Sequence, residues 1–592
     1  MSDSLSGTDT TFAEVLLVRV RLIISFAFAG LCGLVGCSQP EAEFALSEHT
    51  KNLIAPAKKT VEDALAQNFG TPNDLVAWTR FPIEYGGHAG TVREAQSDDE
   101  TAVAVDFDPP LEDEALQSGA TVRWLSGKQQ GNTQTIASYN PATGFLKVSA
   151  AMDPSPGAGD SFVVGFGQTL KSGRKLYMTH CMHCHGVAGD GAGPTAKYLN
   201  PRPRDYRLGL FKFTSTAQPE RATRADLKRI VKQGIPGTYM PSFLLLEDDE
   251  LTAIIAYVRW LACRGETEKK LADDLSGFYS KEAFTKRVES ESESDPDDAR
   301  LIVLQELFQS IGYSGRVGSV QGANRLQITF DSEVQDVIEY EQKQLQAAIT
   351  AGETAEAPWL ADKELVWITG QSTGKRLPVT AYDAVTGSLT FATAMKPAPT
   401  IGDRFFIHDS EDSFEGFIDE TTNDIADFWT EAEDESVLVR PTTPRTPSSA
   451  KSIARGRELF LSKKVNCVQC HGPHGRGDGP MTEAFQKKPN SEEKYPEPGL
   501  FDIWGNKSKP RDLTRGLYRG GRRPLDLYRR VRASIKGTGM PAFNAQALPD
   551  KDLWDLVNYV MSIPFEKQAG HPAVHTQKPI KGDSNSKRES SK

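Results

Sequence analysis

Residues 179–194 read THCMHCHGVAGDGAGP, and residues 466–480 read NCVQCHGPHGRGDGP. Both contain Cys-x-x-Cys-His, at Cys181, Cys184 and His185 and again at Cys467, Cys470 and His471. On the first turn of a helix, residues three apart lie on one face. Two thiols so placed reach one edge of a flat porphyrin, and the residue after them aims an imidazole at the iron. The pattern is the attachment signature of c-type haem, so two haem c groups are expected. A thioredoxin-like redox site would show a single motif in an α/β pattern, without the trailing histidine. A structural zinc site would need a second cysteine pair at zinc spacing, although His180, His183 and His185 do cluster.

An iron that only carries electrons takes a sixth ligand, and methionine is a common one that raises the reduction potential. Met178, Met182 and Met481 are too close to the attachment motifs to reach the far side of a porphyrin. GIPGTYMPSF carries Met240, and IKGTGMPAF carries Met540, each followed by proline and then an aromatic residue. Proline stops a helix from forming there, which leaves an irregular strap able to aim a thioether. Core packing is the ordinary use of a lone methionine. Two copies in matched contexts favour ligation by Met240 and Met540.

At these residues the sequence resembles the class I cytochromes c, twice over. One stretch runs from SGRKLYMTHCMHCHG to LTAIIAYVRWLAC, the other from ARGRELFLSKKVNCVQCHG to KDLWDLVNYVMSIP. The resemblance implies two all-α domains in which a first and a last helix cross at a glycine with aromatics. Gly173 and Tyr177 would meet Tyr257 and Trp260; Gly456 and Phe460 would meet Trp554 and Tyr559. It also implies that Pro194 and Pro480, nine residues after each ligating histidine, offer a carbonyl to the second imidazole nitrogen. Such a bond would fix the ligand's tautomer. Independently of the resemblance, Leu251, Ile254, Ile255 and Val258 form a helical stripe, as do Leu553, Leu556, Val557 and Val560.

A second duplication lies outside the motifs. The stretch from Val122, VRWLSGKQQGNTQTIASYNPATGFLKVSAAMDPSPGAGDSFVV, parallels that from Leu365, LVWITGQSTGKRLPVTAYDAVTGSLTFATAMKPAPTIGDRFFI. Alternating apolar residues and Asn-Pro or glycine turns read as small β-domains. The expected fold class is therefore multidomain: two all-α cytochrome c domains, each preceded by a small all-β domain. In order, the expected segments are a lipoprotein signal (1–36), a tether with an early helix (37–79), β-domain 1 (80–167), cytochrome c domain 1 (168–265) and a helical, acidic linker (266–313). Then follow β-domain 2 with a helical insert near 334–353 (314–411), an acidic and Pro/Thr/Ser linker (412–450), cytochrome c domain 2 (451–566) and a disordered tail (567–592). The β-domains hold no catalytic cluster and read as spacers or docking modules, with ligand binding as the alternative.

Residues 15–37, VLLVRVRLIISFAFAGLCGLVGC, read as an export signal ending in a lipobox-like Leu-Val-Gly-Cys. Cys37 is then the lipidated first residue of the mature chain, and a transmembrane anchor is the alternative. Of seven cysteines, this leaves Cys263 outside the signal and the motifs, at the end of an apolar helix and suited to an inert buried role. A net charge of −11 argues against general nucleic-acid binding. The basic run 510–536 offers arginines for haem carboxylates or for an acidic docking partner. Arg204 and Arg511, each behind a proline, are favoured for the carboxylates. The functional expectation is a membrane-anchored, periplasmic dihaem electron carrier without catalytic residues. Its redox partners would be a quinol-oxidising complex, a dehydrogenase or a terminal oxidase. The alternative is a haem-containing oxidoreductase subunit or a dihaem peroxidase-like enzyme, which would need an open iron site.

Overall fold

The computed structural model describes residues 42–566, apart from 96–98, 109, 112–119, 131, 292–294, 352–359, 361–362, 373–374, 384–385, 409–413 and 490. The expected signal, Cys37 and the expected tail 567–592 lie outside the described residues.

After a single helical turn at Glu48–Lys51 comes α1 (Ala55–Phe69), which carries Pro56 in its first turn, where a proline forfeits no helical bond. Ala57, Val61 and Leu65 recur every four residues along it and are buried. Two small barrels follow in sequence, each closed by six antiparallel strands. The first comprises β1 (His88–Ala95), β2 (Ala102–Asp108), β3 (Thr121–Trp124), β4 (Thr133–Asn140), β5 (Phe145–Val148) and β6 (Ser161–Val164). The second comprises β7 (Tyr313–Gly322), β8 (Arg325–Phe330), β9 (Glu364–Trp367), β10 (Arg376–Asp383), β11 (Ser388–Phe391) and β12 (Arg404–His408). Their strand orders, β1-β2-β5-β4-β3-β6 and β7-β8-β11-β10-β9-β12, are the same circuit. Even the irregularities match, at Val92/Glu94 against Val317/Ser319 and at Ile136/Ser138 against Val379/Ala381. Trp124 and Trp367 fill the two barrels from equivalent places. Closure leaves no edge strand exposed for pairing.

Each helical domain is built on a crossed pair. In the first, α2 (Gln168–His180) crosses α4 (Asp248–Tyr279), with α3 (Arg224–Gln233) between them in sequence. In the second, α9 (Ala450–Leu461) crosses α11 (Asp550–Ser562), with α10 (Pro524–Ala533) between. A Cβ on Gly173 would overlap the Ala253 carbonyl, and one on Gly456 would overlap that of Asp555. Beside these contacts Tyr177 meets Tyr257 edge-on at 5.1 Å, and Phe460 meets Tyr559 at 5.4 Å. The tryptophans have other duties: Trp260 Nε1 donates to the Val76 carbonyl and Trp554 Nε1 to that of Thr443.

The segments expected to be linkers are folded. Beyond Cys263, α4 continues to Tyr279, because Leu271, Ala272 and Leu275 extend its buried stripe. Next come α5 (Lys281–Ser290) and α6 (Pro296–Ile311), which packs its apolar face on the second barrel's side of the core. The helical insert, α7 (Ser332–Ala351), follows β8. Within the acidic stretch, Phe414–Glu431 forms α8, anchored by a fully buried Trp429 whose Nε1 donates to Glu266 at 2.8 Å. The Pro/Thr-rich stretch after it runs along the second helical domain. There Thr442 donates from backbone and hydroxyl to Asp550, and Asn558 donates to the Thr446 carbonyl. Composition marks these places as acidic or Pro/Thr/Ser-rich joins and does not register a deep aromatic anchor such as Trp429.

Burial divides the chain differently from sequence order. The first barrel and the second helical domain have separate cores. The second barrel shares one core with α1 and the first helical domain. Its Arg404 grips Asp63 of α1 through both guanidinium nitrogens.

Two consequences follow for stability. Gly456→Ala should cost about 3 kcal/mol, at the upper end for overpacking, measured by denaturant unfolding of the second helical domain. Burial pushes the Asp550 carboxyl up, but hydrogen bonds from Tyr528, Thr442 and Arg532 outweigh it and hold it down at about 2. The ionised form then stabilises the fold by about 2 kcal/mol above pH 4. Asp550→Asn should lower the melting temperature at neutral pH, and the deficit should shrink as pH falls from 4 towards 2.

Candidate haem sites

Cys181 ends α2, and Met182–His185 forms a single helical turn behind it. Cys467 caps the equivalent turn Val468–His471. The glycines that follow permit the reversal: Gly186 and Gly472 sit at φ +76° and +71°. Gly191 N–H donates to the His185 carbonyl at 2.9 Å, and Gly477 N–H to that of His471 at 2.9 Å. Gly193 and Gly479 close the loops onto Cys184 and Cys470 in the same way.

The imidazole partners correct one expectation. His185 Nδ1 donates to the carbonyl of Arg204 at 3.1 Å, and His471 Nδ1 to that of Arg511 at 3.3 Å. Pro194 and Pro480 instead terminate the glycine loops; Pro480 opens a short 3-10 turn. The Arg204 and Arg511 carbonyls take the part, each on a separate loop directly after a proline, Pro203 or Pro510. The Nδ1–H tautomer leaves Nε2 with its lone pair free. Burial pulls His185 down to about 4, with the Arg204 bond opposing, and also lowers His471. Both imidazoles are therefore neutral at pH 7, as a metal ligand must be. Tyr206 stacks on His185 at 4.8 Å.

The methionines lie on matched straps. Met240 N–H donates to Thr238 Oγ1 at 3.2 Å, and Met540 N–H to Thr538 Oγ1 at 3.3 Å. Each threonine hydroxyl in turn donates back, to the carbonyl of Ile235 at 2.7 Å or Ile535 at 2.6 Å. The turn before each strap needs a left-handed residue; it is Gly234 in the first and Ser534, at φ +68°, in the second.

All four motif cysteines, both motif histidines and both strap methionines line one cavity of about 480 Å³. Apolar side chains of α3, α4, α10 and α11, among them Ile230, Ile254, Val531 and Val557, contribute to its wall. Burial pushes the Cys181 and Cys467 thiols up to about 12. All five cysteines among the described residues are free thiols, and Cys263 is wholly buried. Among the described residues no group of three or more His, Cys, Asp and Glu is arranged to hold a metal ion.

The cytochrome c family model matches residues 170–262 and 453–564. These two stretches are cytochrome c domains. Such domains carry covalently bound haem c and transfer electrons through it, and two domains accord with two haems. The chain has no match among curated proteins. Among solved structures it is similar to the reducing HAO-like protein complex of Kuenenia stuttgartiensis, at 18% identity over 66% of this chain and 96% of that one. The TM-score is 0.33, too low to carry any argument.

The residues present fit haem. The cavity offers paired thiols, neutral imidazoles and thioethers to an apolar disc. Its wall also carries arginines and no Asp or Glu. Nε and Nη1 of Arg530 and Nε of Arg519 are buried without a hydrogen-bond partner. Buried unpaired donors of this kind call for carboxylates, which the porphyrin has. Sequence reading singled out Arg204 and Arg511 from their Pro-Arg context but passed over Arg519 and Arg530. The signal available was the basic run containing them, which does not tell inward from outward arginines.

Thr538→Val keeps the side-chain shape and removes both hydroxyl bonds of the second strap. Loss of about 1.4 kcal/mol would raise local opening about tenfold. Hydrogen exchange should quicken by that factor at residues 535–541 and stay unchanged in α11.

Proposed function

We propose that the protein is an exported, membrane-tethered dihaem cytochrome c that carries single electrons and catalyses no reaction of its own. Cys181 and Cys184 would hold one haem through thioether bonds, with His185 and Met240 as the residues that would ligate its iron. Cys467, Cys470, His471 and Met540 serve the other. The observation that carries this reading is that each Cys-x-x-Cys-His turn and its methionine strap line the same cavity. Haem c supplies one-electron cycling between Fe(II) and Fe(III) when bound.

The chain's own residues do the rest. The Arg204 and Arg511 carbonyls hold the Nδ1 protons, so that both imidazoles present Nε2 in a fixed direction. The threonine-braced straps set Met240 and Met540 on the wall of the cavity that the imidazoles also line, where their thioethers would complete each iron's ligand set. The apolar wall excludes water and favours a high potential. This arrangement supports a carrier over a peroxidase-like enzyme. No helix among the described residues is long and apolar enough to cross a membrane. Attachment on this reading comes from lipid on Cys37, and the donors and acceptors are a quinol-oxidising complex, a dehydrogenase or a terminal oxidase.

Met540→Ala tests the reading. The variant should retain both haems, show one of its two potentials lowered, and bind carbon monoxide at that iron, while the wild type binds none. An unchanged titration, or carbon monoxide binding by the wild type, would reject closed His/Met ligation.

A further inference from the structure

The two arginines whose carbonyls accept the imidazole protons also reach across the domain boundary with their side chains. Each leads to the other domain's methionine strap. In one direction the contact is direct. A Cβ on Gly237, in the Met240 strap, would meet the guanidinium of Arg511, in the second domain. Arg511 Nε donates to the Leu517 carbonyl at 2.9 Å, which steadies the guanidinium there. In the other direction one ring stands between. The guanidinium of Arg204 lies on Trp504 of the second domain at 3.6 Å. A Cβ on Gly537, in the Met540 strap, would meet that same ring.

Trp504 stands on a loop that is much longer in the second domain, Pro480 to Arg511, than in the first, Pro194 to Arg204. The tip of that loop is a fixed turn. Asp502 Oδ1 accepts the N–H groups of Trp504 at 3.2 Å and of Asn506 at 3.0 Å. Asp502 Oδ2 accepts from the Lys212 ammonium of the first domain at 3.1 Å. Ile503 N–H donates to the Gly537 carbonyl at 3.0 Å. The turn is thus pinned to the second strap and to the first domain at once. The place of the ring between them is set from both sides.

We propose that these contacts form two crossed relays, in which each domain's strap steadies the residue that holds the other domain's imidazole proton, with Trp504 as a positioning residue for His185. One relay runs from Gly537 through Trp504 and Arg204 to His185. The other runs from Gly237 through Arg511 to His471. The proposal rests on the dihaem reading above. A held Nδ1 proton fixes an imidazole's direction and raises its basicity toward a metal. Each domain therefore sets the ligand strength at the other's iron, which contacts confined to one domain could not do.

The test is hydrogen exchange read by NMR on the full-length, haem-loaded, reduced protein, with haems counted by mass on the same sample. Trp504→Ala should retain two haems and quicken exchange of the His185 Nδ1 proton about fivefold, the worth of a partly desolvated cation–π contact. The His471 Nδ1 proton and the α4 amides should keep their rates. Trp504→Phe, which leaves a ring face for Arg204, should restore most of the protection. Arg511→Gln, in the second domain, should quicken the amides of Thr238 and Met240 in the first. An unchanged His185 rate overturns the proposal, as do unchanged strap amides in Arg511→Gln. Equal quickening at His471, the mark of general loosening, overturns it too, and so does a Trp504→Phe variant no better than Trp504→Ala. Should Trp504→Ala fail to load haem, Arg204→Gln, which keeps the carbonyl and removes the guanidinium, is judged by the same criterion. A wild-type chain without haem would sink the dihaem reading itself. Two haems with the His185 rate unmoved would sink the relays alone.

Discussion

The two haem sites face a common cavity because buried cations of one cytochrome c domain are lodged in the surface of the other. Lys536 is the clearest case. It is almost fully buried, its amine is drawn down to about 7 by burial, and it crosses from the second domain to Thr216 and Glu220 of the first. A group so costly to desolvate stays inside only where good acceptors meet it. With Arg204 on Trp504, it sets the relative position of two domains that have separate cores. Were that boundary lost, the cavity would split into two open clefts. The wall residues that exclude water from each motif would then be gone.

The remaining architecture supports that boundary. The second barrel merges with the first cytochrome c domain through α1 and the long α4, and so stiffens one side. Helix α8 lays Trp429 against Glu266 and Arg259 on α4, and the chain then threads along α11 of the other domain. The Pro/Thr-rich segment cannot supply helix bonds, so it gives its backbone groups to Asp550, Asn558 and Trp554 instead. A chain that looks like domains on a string is tied at every join.

Much of this was legible before any coordinates. Cys-x-x-Cys-His, the Met-Pro straps and the barrel repeats are short patterns whose chemistry demands fixed spacing, and local spacing is what a sequence displays. The crossing glycines Gly173 and Gly456 were legible for the same reason. The imidazole acceptors were not. Pro194 and Pro480 stand at a regular distance from each histidine, but the carbonyl that arrives comes from Arg204 or Arg511, on a separate loop. Long-range arrival leaves no periodicity. The helix Phe414–Glu431 escaped because acidic residues dominate the stretch and mask the apolar stripe of Ile418, Ile425 and Trp429 that buries it. Arg519 and Arg530 escaped because inward and outward arginines look alike in a basic run.

The account stands on haem bonded to the chain at both motifs. The most direct measurement is the mass of the mature protein made in a host that attaches c-type haem, followed by peptide mapping. The account predicts two haem additions, one on the peptide holding Cys181 and Cys184 and one on that holding Cys467 and Cys470. A mature chain with no haem addition, or with haem on only one of these peptides, would contradict it.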